Sequence, residues 1–235
     1  PQSRARVLLG AARRQTESSF DQSIATCDEA LALVGIERST RADLLAVRAL
    51  NCANKADFVE LTRTLALARE VADPAVDHEA LATVDATESV YAFNSNRFDD
   101  AVALMQAASE RATLAGLDVA RWVPEGLWNA FLHNSKGDVS YALQLVDEGL
   151  RSALASKAAV AEAYWMMVRA RVLHDLGRLD EARLQAESVL ALADELGLGD
   201  FANATAGIVL FRIALRTGDS SLRQQSDPIV EALAS

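Results

Sequence analysis

Apolar residues recur at intervals of three and four along almost the whole chain. Leu179, Ala182, Ala186, Leu190 and Ala193 share one helical face, and Phe98, Ala101, Met105, Ala108 and Ala112 do the same. That spacing is the signature of amphipathic helices packed on one side. No stretch alternates β-branched or aromatic with polar residues, as a half-buried strand would. Proline stands only at positions 1, 74, 124 and 228, so long stretches contain no helix breaker. The pattern therefore predicts an all-α chain.

The helices are punctuated by a recurring turn. Gly177-Arg178-Leu179-Asp180-Glu181-Ala182 is its clearest form, and Asn96-Arg97-Phe98-Asp99-Asp100-Ala101 is a close copy. Gly137-Asp138-Val139-Ser140-Tyr141-Ala142 is a third and Ser18-Ser19-Phe20-Asp21-Gln22-Ser23 a weaker fourth. Ala56-Asp57-Phe58 and Gly218-Asp219-Ser220 open degenerate versions. The anchors Phe20, Phe58, Phe98, Val139, Leu179 and Ser220 are separated by 38, 40, 41, 40 and 41 residues. Such regularity is the period of one helical hairpin per repeat. Polar residues beside each anchor suit the N-terminus of a new helix, and the small residue three positions later lets neighbouring helices approach.

First helices are expected near 4–16, 38–53, 75–94, 120–135, 157–176 and 200–217. Second helices are expected near 20–35, 56–73, 98–115, 139–154, 179–196 and 219–233. Each hairpin leaves an apolar face that only a stacked neighbour covers. The expected fold is a right-handed α-solenoid of about six hairpins, read as one domain over residues 1–235. The start on Pro1 reads as a segment of a longer protein.

Gly177-Arg178-Leu179-Asp180-Glu181-Ala182-Arg183 followed by Leu190-Ala191-Leu192-Ala193 resembles the second half of a tetratricopeptide repeat. The period of about 40 exceeds the 34 residues of the standard repeat. With Ala191-Leu192-Ala193-Asp194-Glu195-Leu196-Gly197, it resembles the helical repeat region of MalT-like, ATP-dependent LuxR-type transcriptional regulators. That resemblance implies a bacterial sensor or interaction module, receiving an inducer or a protein partner. Nucleotide and DNA binding would then belong to other modules. The only lysines, Lys55, Lys136 and Lys157, are followed by Ala or Gly, so this chain has no P-loop.

Charge narrows the partners. A net charge of −10 disfavours phosphate backbones and anionic membranes. The longest apolar run, 204–211, is too short to span a bilayer, which with the lack of a signal peptide predicts a cytoplasmic protein. Cys27 and Cys52 read as small buried hydrophobes. His78-Glu79-Ala80-Leu81-Ala82 has alanine where a zinc motif needs its second histidine, so no metal or cofactor is expected. No nucleophile–base pair is suggested, and the chain reads as non-catalytic.

The aromatics are uneven. Trp122, Trp128 and Trp165 all fall in the fourth and fifth first helices. On the fourth, Val123, Leu127 and Phe131 are expected to pack, leaving Trp122, Gly126, Asn129 and His133 on the opposite side. On the fifth, Glu162, Met166 and Arg169 share a face beside Trp165; on the third, Thr83, Thr87, Tyr91 and Asn94 form a polar stripe. Tyr91, Trp122, Asn129, His133, Glu162, Trp165 and Arg169 are thus the candidate lining of a concave groove for a protein, peptide or small inducer. The alternatives are that the aromatics are core filler and that the chain is a pure scaffold. The apolar stretch Ala204–Leu215 followed by a poorly patterned last helix suggests self-association through the C-terminal repeat.

Overall fold

A computed structural model describes residues 1–16, 19–55, 57–117, 123–196 and 200–232, with backbone alone for 123–125, 200, 201, 230 and 232. Among these residues there are twelve helices and no strand: α1 (Gln2–Gln15), α2 (Phe20–Leu31), α3 (Arg38–Asn54), α4 (Phe58–Val71), α5 (His78–Asn94), α6 (Phe98–Leu114), α7 (Val123–Ser135), α8 (Val139–Ser156), α9 (Ala159–Asp175), α10 (Leu179–Leu196), α11 (Asp200–Thr217) and α12 (Ser220–Ala232). They pair as six hairpins of an α-solenoid class. The chain divides into two compact units, Pro1–Asp118 and Val119–Ser235, of three hairpins each.

Every anchor predicted from the repeat is the first residue of a second helix. Before four of the six anchors the turn is set by one left-handed residue: Asn96 (φ 59°), Gly137 (φ 88°), Gly177 (φ 77°) and Gly218 (φ 73°). At Gly177 the incoming helix ends in a Schellman motif, with Gly177 N–H donating to His174 O and Arg178 N–H to Leu173 O, both at 2.9 Å. The same pair of bonds closes the turns at Asn96 and Gly137. Side-chain caps follow where the sequence allows: Ser19 accepts from Gln22 N–H at 3.3 Å, Asp57 from Glu60 N–H at 3.2 Å and Asp219 from Leu222 N–H at 2.9 Å.

Most boundaries fall within two residues of expectation; two depart further for a visible reason. Helix α2 ends at Leu31 rather than 35, because the chain turns toward Gly35, at φ 79°. Helix α5 begins at His78 rather than 75. Asp77 closes a turn there, its carboxylate accepting from Asp73 N–H at 2.7 Å and from the Ser39 hydroxyl.

Within each unit the first helices pack on one another, α1–α3–α5 and α7–α9–α11, and the second helices flank them. The first helices form the inner layer: eleven residues of α3 are buried but four of α4. Ala101, Ala142 and Ala182, three residues after their anchors, are all fully buried, which is what close helix approach requires. In the first unit Asp85 of α5, 4% exposed, bridges Arg69 of α4 at 2.7 Å and Arg111 of α6 at 2.8 Å. In the second unit α12 turns Leu222 and Ile229 onto α11, with Ile229 lying over Gly207. Ala206, Val209, Leu210, Ile213 and Ala214 of the apolar stretch of α11 are buried within the chain, while Leu215 at its end is 55% exposed.

Candidate functional site

The sequence-predicted groove residues fall into different environments. Trp122 lies outside the described residues. Trp165 is 1% exposed: its indole lies flat against α8 where Gly149 leaves room, and a Cβ at 149 would sit 2.2 Å from the ring. Trp165 is core, and it does not line a groove. The reason is steric pairing of the largest side chain with the smallest across a helix seam.

Arg169 is also committed to that seam. Its Nε donates to Asp147 of α8 at 2.8 Å. Arg169 stands ten residues before the anchor Leu179, and Asp147 eight after the anchor Val139. Arg48 and Asp28 hold the same two positions relative to Phe58 and Phe20, and they too pair at 2.8 Å. The Arg–Asp contact is therefore a repeat-stacking clamp, used once in each unit. His133 packs edge-on against Tyr141 of α8 at 4.6 Å, with Nδ1 3.4 Å from Asp138. Asn129 is half-buried on α7, and Glu162 is half-buried in the first turn of α9, where an acid complements the helix dipole.

Tyr91 belongs to the first unit. Its ring packs on Phe58 at 5.6 Å, with the Arg97 guanidinium 5.8 Å above it. Thr87, in the same predicted stripe, is buried and donates to Thr83 O at 2.6 Å. In that unit a depression of about 200 Å³ lies among α2, α3 and α4, lined by Asp28, Arg48, Glu60 and Thr64. Those polar groups already pair with one another. Burial pushes the Cys27 thiol up to about 12, so it behaves as core. Among the described residues no group of three or more His, Cys, Asp or Glu could hold a metal ion, and no helix is long and apolar enough to cross a membrane.

A different set of residues crosses the first helices of the second unit. Phe131 of α7 was expected to pack inward, yet it is half-buried and carries the Arg171 guanidinium of α9 at 4.2 Å. Trp128 meets Phe131 edge-on at 4.9 Å. One turn along, Asn134 of α7 donates to Asp175 of α9 at 2.7 Å. Arg216 of α11 donates to His174 O of α9 at 3.2 Å. Half-buried Tyr164 precedes Arg171 by two helical turns and shares its face.

Arg171 is the unusual member. Its Nε is shut off from water and has no hydrogen-bond acceptor. Burial, and then the neighbouring Arg212 guanidinium of α11, push it below the usual guanidinium value, while Asp175 opposes them. Asp175 itself is engaged, Oδ2 by Asn134 and Oδ1 by His174 Nδ1 at 2.9 Å. Those hydrogen bonds hold its carboxyl below the ordinary value despite burial. This face thus gathers aromatic rings and a guanidinium whose buried Nε has no acceptor among the described residues.

Comparison with known proteins bears on the fold. No protein-family model and no curated protein matches the chain. Solved structures do. A Rap protein complexed with competence and sporulation factor superposes with a TM-score of 0.76 at 14% identity, over 99% of this chain and 67% of that one. The fold is a tetratricopeptide-like helical repeat. BtubC (BKLC) from P. vanneervenii superposes with a TM-score of 0.64 at 16% identity, over 96% of this chain and 93% of that one. At these identities the likeness is one of fold.

Proposed function

We propose that the chain is a non-catalytic recognition module of a bacterial signalling or transcriptional regulator of the MalT-like kind. It binds a peptide, protein segment or small inducer on the first-helix face of its second unit, without direct nucleic-acid or membrane contact. The observation that carries this reading is the row of Trp128, Phe131, Tyr164 and Arg171 across α7 and α9. Aromatic walls with a few convergent polar groups are the usual make-up of a binding face. The Rap structure, complexed with competence and sporulation factor, supports the same use of this fold.

The test is intrinsic tryptophan fluorescence during titration with peptide and metabolite libraries. Trp165, fully buried, serves as the silent background; Trp128 is the reporter. A saturable change that Trp128→Phe abolishes and Phe131→Ala weakens is the expected result. A flat response across both libraries removes this reading and leaves the scaffold alternative. That alternative is favoured by exposed apolar residues on second helices, notably Val59 of α4 and Leu184 of α10.

A further inference from the structure

We propose that the first unit carries a recognition site of its own. The depression among α2, α3 and α4 takes one leucine-sized aliphatic side chain, presented by a peptide segment of a partner. This site lies in a different unit from the aromatic row of α7 and α9 and does not rest on that reading.

Size and lining set the occupant. The depression holds about 200 Å³. Sites for a whole drug-sized ligand run to roughly 300–1,000 Å³, whereas an apolar cavity of about 150 Å³ takes a single benzene ring. The space therefore suits one branched side chain. A leucine from each helix lines it: Leu31 of α2, Leu45 of α3 and Leu67 of α4. Leu45 is 7% exposed and Leu67 is 42% exposed, so the apolar lining runs from the buried layer out to water. Val59, two turns before Leu67 and 79% exposed, extends the apolar surface along α4. Covering that surface is favourable for any apolar group that fits.

The polar rim excludes a charged occupant and favours a peptide. Arg48 donates from Nε to Asp28 at 2.8 Å, and from Nη1 to the Thr64 hydroxyl at 2.6 Å and to Glu60 at 3.3 Å. With Arg63 the lining carries two acids and two guanidinium groups, so its charges balance. A charged ligand would compete with those pairs, and an uncharged side chain does not. Two groups keep spare capacity. Arg48 engages Oδ1 of Asp28, on the α2 wall, and Oδ2 accepts from nothing among the described residues. Arg63, on the α4 wall and 73% exposed, stands 3.6 Å from Glu60, too far for a hydrogen bond. An acceptor on one wall and donors on the other match the N–H and C=O groups beside a peptide side chain. A plain hydrocarbon offers neither.

The experiment follows the leucine methyl resonances of the full chain by NMR. The probes are the capped peptide acetyl-Gly-Gly-Leu-Gly-Gly-amide, its Ala-centred and Glu-centred counterparts, and isoamyl alcohol. The Leu-centred peptide should shift the Leu31, Leu45 and Leu67 methyls saturably. It should bind at least about tenfold more tightly than the Ala-centred one, which leaves most of the space unfilled. The Glu-centred peptide should bind no better than the Ala-centred one. Raising sodium chloride from about 50 to about 500 mM should change the Leu-centred affinity less than about twofold, since no net charge is paired. Leu67→Asn and Arg63→Ala alter exposed side chains and keep the fold, which thermal melts check. Each should weaken the Leu-centred peptide at least about threefold, and only Leu67→Asn should weaken isoamyl alcohol. Shifts that never saturate, an Ala-centred peptide that binds as tightly, or an affinity unchanged in Leu67→Asn overturns the site. Isoamyl alcohol binding as tightly as the peptide, with the peptide indifferent to Arg63→Ala, overturns the peptide assignment. Failure here leaves the fluorescence titration of the second unit standing, and a flat fluorescence titration leaves this site standing.

Discussion

Asp85 is a single carboxylate serving two guanidinium groups on two other helices. Removing it strands Arg111, which has no other acidic partner among the described residues, and weakens Arg69, which keeps Glu88. Asp85→Ala should therefore lower the unfolding free energy by about 2–4 kcal/mol in urea titrations, as for other broken buried pairs with partly exposed partners. Asp43 behaves in the opposite way. Burial pushes its carboxyl up to about 6, Arg13 pulls it down, and Glu79 and Asp77 push it up again. Arg13 is nearer to Glu79, at 2.7 Å, than to Asp43, at 3.7 Å. The native state therefore binds this proton more tightly than the unfolded chain. Its stabilising contribution is full below pH 4 and is lost as pH rises through 6. Asn at position 43 should stabilise the protein at pH 7 by on the order of 1–3 kcal/mol and flatten the stability profile between pH 4 and 6. Unfolding free energies measured across that range check both parts.

Glycine serves the helices in two separate ways. At Gly177 a Cβ would meet nothing within 4 Å, and the requirement is purely the left-handed backbone, φ 77°. At Gly149, inside α8, the backbone is ordinary and the requirement is room for Trp165. Gly177→Ala should cost about 1 kcal/mol, the strain of one left-handed residue. Gly149→Ala should cost more, about 2–4 kcal/mol, because the indole must leave a close-packed seam. It should also red-shift Trp165 emission, which Gly177→Ala should not do. Asn96 holds the same turn position as Gly177 at φ 59°, so Asn96→Gly should be tolerated or slightly stabilising. This turn chemistry made the repeat readable in advance. Glycine or asparagine, one further residue and an anchor recur because the Schellman turn demands them.

Across the whole chain, a helical repeat stabilises each hairpin through its immediate neighbours. Asp85 acts among α4, α5 and α6 of the first unit, and Gly149 between α8 and α9 of the second. With no shared partner, the losses from Asp85→Ala and Gly149→Ala should add within about 0.5 kcal/mol. A double-mutant cycle by equilibrium unfolding measures this. A larger coupling would mean that stress in one hairpin reaches well beyond its neighbours.

Helix type, order and the starting points of the second helices were determined by the sequence, because period, turn residues and caps act over a few residues and leave a local imprint. The anchors from Phe20 to Ser220 show this, each opening its helix. The face that meets a ligand was not legible in the same way. An inner-layer helix such as α9 touches neighbours on several sides, so its buried residues, the consecutive Trp165, Met166, Met167 and Val168 among them, circle the axis and no single stripe marks the open side. Arg169 and Arg171 are two residues apart in a run that gives them equal chemistry. Tertiary packing alone decided that the first meets Asp147 and staples a repeat, while the second lies over a phenyl ring. Partners brought together from separate helices decide a side chain's role, and no window of neighbouring residues contains them.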